Sequence, residues 1–250
     1  MFPKPVLILA HYFLPANNAG GPPKSLANLI DTLAGRVSFR VVCCDHEYEV
    51  KDKLPGIQAA SWTLHEGKDV FYQEDNVLSI MRTIGFCLSR KYGAIYLNSF
   101  FDPTYTILPL IASIALSKKN VYLSPRGEFS AAALAIKKSR KEKYIRLFRF
   151  FEFHKKIHWV ATSEKERADI IGKFGNDISM SVIRNFPAPV VPEFLPASEK
   201  EAGSLKLVYL ARIAPMKNTK YVFEVLSKVR ANIELHVYGP VEHEEYWAEC

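Results

Sequence analysis

The sequence predicts an α/β protein in two parts, a first unit built on a parallel sheet and the opening of a second unit of the same kind. Three observations lead there. From Val6 onward, short apolar runs alternate with segments of helical period, the pattern of strands joined by crossover helices that cover both sheet faces. Prolines at 187, 189, 192 and 196 and a charged stretch up to Gly203 then break the alternation, as an interdomain linker does. At Leu205 the βα pattern restarts. No internal repeat is present. The expected divisions are a first domain at 1–186, a linker at 187–204 and a partial second domain at 205–250. An independent domain takes about 100–150 residues, so the last part is expected to be truncated.

The elements follow in order. Val6 to Ala10 reads as a buried strand, and His11 to Gly21 as a loop. Leu26, Leu29, Ile30 and Leu33 share one face of a helix. Pro22 and Pro23 suit its first positions, where a missing N–H costs nothing. Val37 to Cys44 is a second strand, and residues 45–75 read as irregular with short extended pieces around Trp62 and Phe71. Val77 to Arg90 reads as helix, Ala94 to Asn98 as strand and Pro103 to Leu116 as helix. Val121 to Ser124 is a strand leading into Pro125-Arg126-Gly127-Glu128. Residues 137–156 read as one long basic helix, and Ile157 to Ala161 as a strand. Ser163 and Glu166 have the spacing of a capping box, and Gly175 is a helix stop. Ser181 to Ile183 closes the first part. Beyond the linker come a strand at 205–210, a helix at 216–229 and a strand at 233–238 ending in Gly239-Pro240.

Composition narrows the function. Hydrophobic content of 48% with 24% charged residues is ordinary for a globular chain. No apolar run approaches the roughly 20 residues of a membrane-spanning helix. The N-terminus lacks a charged leader region and a cleavage site, so it reads as a first strand and not a signal peptide. Cys43, Cys44, Cys87 and Cys250 show no zinc spacing, and the seven histidines show no ligand cluster. The expectation is reduced thiols in a cytoplasmic protein that requires no metal. The net charge of +7 is carried by residues 137–156, where nine Lys and Arg face two Glu. A single basic helix on a neutral remainder, with no recognition motif, argues against nucleic-acid binding.

One window points to chemistry. In Leu205 to Leu226 an apolar run ends in Arg212, a turn with Pro215 follows, and Lys217 stands where a helix begins. Two fixed cations and a helix N-terminus favour an anion such as a diphosphate. The same pattern also suits a plain βα turn with two solvated basic side chains. Gly20-Gly21 likewise reads either as a loop whose backbone approaches a ligand or as a tight turn among prolines.

The order of these motifs resembles the GT-B glycosyltransferases, closest to the family 4 type of nucleotide-sugar-dependent retaining enzymes. The resemblance runs from Val6 to the last residue. It is carried by residues 11–25 (HYFLPANNAGGPPKS), 123–130 (LSPRGEFS), 161–166 (ATSEKE), 182–185 (VIRN), 210–217 (LARIAPMK) and 237–240 (VYGP). It implies two Rossmann-like domains facing a cleft, the donor mainly on the second and the acceptor on the first. Arg212 and Lys217 match the positions that hold the donor diphosphate, and Gly20 and Gly21 the glycine loop that approaches it. No metal is implied. The departures are Ala211 and Asn218 where relatives carry Gly, Phe186 after the hinge Asn185, and Arg126 where many relatives carry His. Arg126 and Glu128 are therefore the candidate catalytic residues, with Arg126 binding the donor phosphate or an anionic acceptor, or else pairing with Glu128. The acidic pair of the family falls beyond Cys250, so the chain alone is expected to be a poor catalyst. The alternative is a truncated, non-catalytic sugar-nucleotide binder. His11, just after the first strand, is a lesser candidate.

The basic segment interleaves its cations with Tyr144, Ile145, Leu147, Phe148, Phe150, Phe151 and Phe153. It suits an anionic membrane surface, at the inner face of a membrane beside a saccharide or lipid-linked acceptor. It equally suits a helix with its aromatics in the core and a solvated basic face.

Overall fold

A computed structural model describes residues 4–50, 52–116, 120–188 and 203–250. Most of the proline-rich linker falls at 189–202, outside the described residues. The chain divides into two compact units, Met1–Val191 and Pro192–Cys250.

The first unit is built on an eight-stranded sheet. In chain order its strands are β1 (Val6–Leu9), β2 (Phe39–Cys44), β3 (Trp62–His65), β4 (Lys68–Gln73), β5 (Ala94–Leu97), β6 (Asn120–Leu123), β7 (His158–Ala161) and β8 (Ser179–Val182). Their order across the sheet is β3-β4-β2-β1-β5-β6-β7-β8, parallel throughout except for the antiparallel β3–β4 pair. Val6 of the central β1 lies opposite Phe39 on one side and Ala94 on the other. The order reverses between β1 and β5, and in open α/β sheets ligands bind beyond the carboxyl ends of the strands at such a point.

Strand alternation sorts the core onto two faces. Leu7, Leu9, Ile95, Leu97, Leu123 and Trp159 point to one face. There they meet buried residues of α2 (Val77–Leu88), α3 (Leu108–Leu116), α5 (Lys138–Phe150) and α6 (Glu164–Phe174), including Cys87, Leu110, Phe148 and Phe174. Ile8, Ala10, Val41, Cys43, Val70 and Tyr72 point to the other face, under Leu26 and Ala27 of α1 (Gly21–Thr32). A short α4 (Ala131–Ala135) precedes α5.

Two readings of the sequence are corrected, and the helix read at Pro103 to Leu116 is present with a distinct first turn. The region 45–75 is not irregular: β3 and β4 form a hairpin, and β4 joins β2 in the main sheet. Its turn, Glu66-Gly67, has both residues left-handed, at φ 47° and 76°, as a two-residue hairpin turn demands. The basic segment is not one helix: α5 begins after left-handed Lys137, ends at Phe150, and gives way to left-handed Glu152 and a 3₁₀ turn, Phe153–Lys155. The helix after β5 starts as a π turn, Pro103–Ile107, and its first donor, the Tyr105 N–H, bonds to the Asp102 carboxylate at 2.7 Å.

The second unit pairs β9 (Ser204–Leu210) and β10 (Asn232–Tyr238) in parallel, joined through α7 (Thr219–Leu226) and followed by α8 (Glu244–Glu249). The helix expected at 216–229 is shorter. Pro215–Lys217 forms a 3₁₀ turn, and Asn218 is left-handed at the α7 N-cap position. Gly239 is needed where it stands. It has φ 151°, and a Cβ there would lie 1.9 Å from the Ala211 carbonyl oxygen. Among the described residues no helix is long and apolar enough to cross a membrane.

Candidate functional site

Arg126 follows β6, on the carboxyl side of the sheet. Its Nε donates to Asn98 Oδ1 at 2.7 Å, and its Nη1 to Asn185 Oδ1 at 2.6 Å and Ser25 Oγ at 3.3 Å. Its Nη2 donates to the Tyr96 hydroxyl at 3.3 Å. Asn98 and Tyr96 come from β5 and its exit, Ser25 from α1, and Asn185 from the segment after β8. All four partners are neutral. Among the described residues no carboxylate pairs with this half-buried guanidinium. One of its five N–H groups remains over for a ligand. A cation oriented by neutral groups keeps its charge available to an incoming anion.

The loop that presents Arg126 is held in an uncommon conformation. Arg126 and Gly127 are consecutive left-handed residues, at φ 55° and 81°. For Arg this costs about 1–2 kcal/mol, so neighbouring contacts must enforce it. Two carboxylates do so, the buried Glu166 and the half-buried Glu128. Glu166 accepts from the Gly127 N–H at 2.6 Å, and from the Thr162 N–H and hydroxyl, both at 2.6 Å. Glu128 accepts from the Ser99 hydroxyl at 2.7 Å and from the Phe100 and Phe101 N–H groups at 2.5 and 3.3 Å. Arg126 and Glu128 therefore do not pair. Burial raises the Glu128 carboxyl above its ordinary range, against the lowering effect of those hydrogen bonds. The capping-box spacing found Ser163, which caps α6 by accepting from the Glu166 N–H at 3.1 Å. It did not reveal that the Glu166 carboxylate reaches the Arg126 loop, since that contact spans 39 residues.

A cavity of about 320 Å³ opens beside Arg126 on the α1 face of the sheet, lined by Leu29, Tyr96, Tyr122, Val160 and Phe186 among others. The segment after β8 borders it and docks on α1. Ser25 donates to Asn185 Oδ1 at 2.8 Å, and the Asn28 amide to the Phe186 carbonyl at 3.0 Å.

Gly20 and Gly21 form the entry to α1. Gly20 has φ 82°, and Gly21 is the first helical residue. Pro22 and Pro23 carry no N–H, so the Gly21 amide is the first-turn donor left to an anion. A Cβ on Gly21 would meet nothing within 4 Å, so the surface above it is open.

In the second unit, Arg212 follows β9 and pairs with Glu242. Lys217 closes the 3₁₀ turn, and its carbonyl accepts from the Tyr209 hydroxyl at 2.8 Å. Among the described residues its ammonium has no ion pair. A cavity of about 650 Å³ beside Pro215 is lined by Glu242, Glu244, Glu245 and Glu249. An anion reaching Arg212 therefore competes with Glu242.

The structure also assembles a cluster that sequence spacing hides. His11 Nδ1 meets Asp102 Oδ2 at 2.6 Å, and its Nε2 meets Asp75 Oδ2 at 3.0 Å. His46 Nε2 meets the same Asp75 oxygen at 3.2 Å. Burial works against a charged His11, but the two carboxylates prevail and raise it to about 9. The reading that the histidines form no ligand cluster is thus corrected: His11, Cys44 and His46 converge. They come from the exits of β1 and β2, with His11 far from Cys44 and His46 in sequence, so no short motif contains all three.

The first unit is an α/β fold with a mostly parallel sheet, consistent with a Rossmann-like domain, and at the carboxyl edge of that sheet Arg126 has no carboxylate partner among the described residues. Neither a family model nor a curated protein matches this chain.

Proposed function

We propose that the chain is a GT-B glycosyltransferase of the retaining family 4 type. It takes a sugar from a nucleotide-diphosphate donor and passes it to a saccharide or lipid-linked acceptor in cell-surface polysaccharide synthesis. The observation that carries this reading is Arg126, a guanidinium oriented by four neutral side chains. Breaking the sugar–phosphate bond places negative charge on the leaving diphosphate. Preoriented cations and amides stabilise that charge without reorganising. Arg212 supplies a bidentate grip and Lys217 a point charge. The Gly21 amide approaches without a side chain in the way, and Arg126 meets the donor phosphate or an anionic acceptor. Glu128 acts by fixing the loop that holds Arg126. No metal enters this step.

The acceptor side draws support from α5. Ile145 and Phe148 are buried, whereas Leu147, Phe150 and Phe151 are exposed, Phe150 by 79%, among the lysines and arginines of 137–156. Exposed aromatics set in a cationic field suit the headgroup region of an anionic membrane.

The test is a panel of sugar nucleotides incubated with the intact chain, reading both binding and nucleoside diphosphate release. The reading predicts that one donor binds and that Arg126→Ala lowers its turnover about 10²–10³-fold, the scale of losing one transition-state donor. Binding without release favours the non-catalytic alternative. Absence of binding across the panel contradicts both.

A further inference from the structure

We propose that His11, Cys44 and His46, with Asp75 as fourth donor, form a structural zinc site at the carboxyl edge of the first unit's sheet. This inference stands apart from the glycosyl-transfer reading and uses none of the residues to which that reading gives a donor-binding or catalytic role.

The geometry comes first. One ring nitrogen each of His11 and His46 and the Cys44 sulfur lie within 4.8 Å of one another. Both imidazoles turn Nε2 toward the same Asp75 oxygen, at 3.0 and 3.2 Å. Donors around a tetrahedral zinc with ordinary bond lengths stand about 3.3 Å apart, so these spacings already approach those of a coordination shell.

The surroundings agree. A metal-binding histidine donates its other ring N–H to a carboxylate or carbonyl, which fixes the tautomer and aims the free lone pair. Both rings have such a partner. His11 Nδ1 lies 2.6 Å from Asp102 Oδ2, and His46 Nδ1 lies 3.0 Å from the Glu47 carbonyl oxygen. Asp102 is itself anchored by the Tyr105 N–H at 2.7 Å, and Asp75 Oδ1 meets the Tyr105 hydroxyl at 3.4 Å. Both nitrogens expected to bind therefore face one point, and the groups behind them are held.

The donor set selects the ion. One thiolate, two imidazoles and one carboxylate suit zinc, which accepts sulfur, nitrogen and oxygen in one tetrahedron. Calcium and magnesium prefer oxygen alone. Binding displaces one proton from His11 and one from the Cys44 thiol, and the shell of thiolate, carboxylate and two neutral imidazoles then balances the charge of the ion. Four protein donors leave no open position, so the ion is structural and not catalytic. It would join the exits of β1, β2 and β4 at the edge where the sheet presents its ligand.

The test uses the intact chain, stripped with a chelator and titrated with Co²⁺ alone and then Zn²⁺ alone, without nucleotide. One Co²⁺ per chain is expected, with a thiolate-to-metal charge-transfer band and the visible spectrum of tetrahedral cobalt, both lost when Zn²⁺ displaces it. Zinc is expected to raise the midpoint of thermal unfolding of the stripped protein. Cys44→Ser removes the charge-transfer band. His46→Gln, at a position nearer the surface, weakens Co²⁺ binding at least tenfold while the far-ultraviolet circular dichroism stays unchanged. The proposal is overturned if no tetrahedral spectrum develops, or if the spectrum survives Cys44→Ser and disappears in Cys250→Ser. It is also overturned if His46→Gln, still folded, binds Co²⁺ as tightly as the parent. None of these outcomes bears on sugar-nucleotide binding.

Discussion

At the residue scale, the two glycines at the α1 entry separate folding from binding. Gly20 sits at φ 82°, so Gly20→Ala is strained whatever space surrounds it. Gly21 has ordinary helical backbone with open space where a Cβ would go. Gly21→Ala is therefore expected to leave the unfolding free energy within about 0.5 kcal/mol of the parent, as surface changes generally do. It should still weaken nucleoside diphosphate binding by filling the approach to the amide. Glu128 supplies a pH test. Its carboxyl is raised above the ordinary value of 4.5, so just above that pH the folded chain holds a proton that the unfolded chain has released. Stability from this group accordingly falls as pH rises through the window. Denaturant unfolding of the parent and of Glu128→Gln across that window should show the parent's relative stability declining toward neutral pH. A relative stability that grows instead would mean that the hydrogen bonds outweigh burial. Arg126 was singled out through the resemblance alone, as the residue standing where many relatives carry His. Its partners were not, since Ser25, the Tyr96–Asn98 pair and Asn185 lie on three separate segments.

At the element scale, periodicity located most strands and helices because each buries one face against the sheet. It failed where turn chemistry or an unusual backbone decides. The β3–β4 hairpin depends on two left-handed residues, one of them Glu66, which does not announce such a turn. Helix α5 stops because Glu152 is left-handed, although apolar and basic residues continue beyond it. The division within α5 yields a prediction. Phe148 packs against Phe100, Trp159 and Phe174 with ring centroids 5.0–6.3 Å apart. Phe148→Ala should cost about 3–5 kcal/mol. Phe150→Ala, at an exposed position, should cost less than about 0.5 kcal/mol yet reduce flotation with vesicles of anionic lipid at low salt. Equal flotation of parent and Phe150→Ala would remove this helix from the membrane reading.

At the scale of the whole molecule, the α/β class followed from the alternation of strand and helix patterns. The strand order did not, because pairing across the sheet is set by which edges remain free once each crossover closes, and neighbouring residues do not encode that. The switch between β1 and β5 brings the exits of several strands to one edge. There the first unit gathers both an unpaired cation and a histidine cluster. The glycosyltransferase account adds that Gly21 and Arg126, both of the first unit, serve one diphosphate. Calorimetric titration of the intact chain with nucleoside diphosphates tests this most directly, using the parent, Gly21→Ala, Arg126→Ala and the double variant. The account predicts that each single change weakens binding at least tenfold, about 1.4 kcal/mol. It also predicts that the double variant loses less than the two losses combined, as residues sharing one ligand do. Parent-like affinity in both single variants, with all four proteins folded, would contradict it.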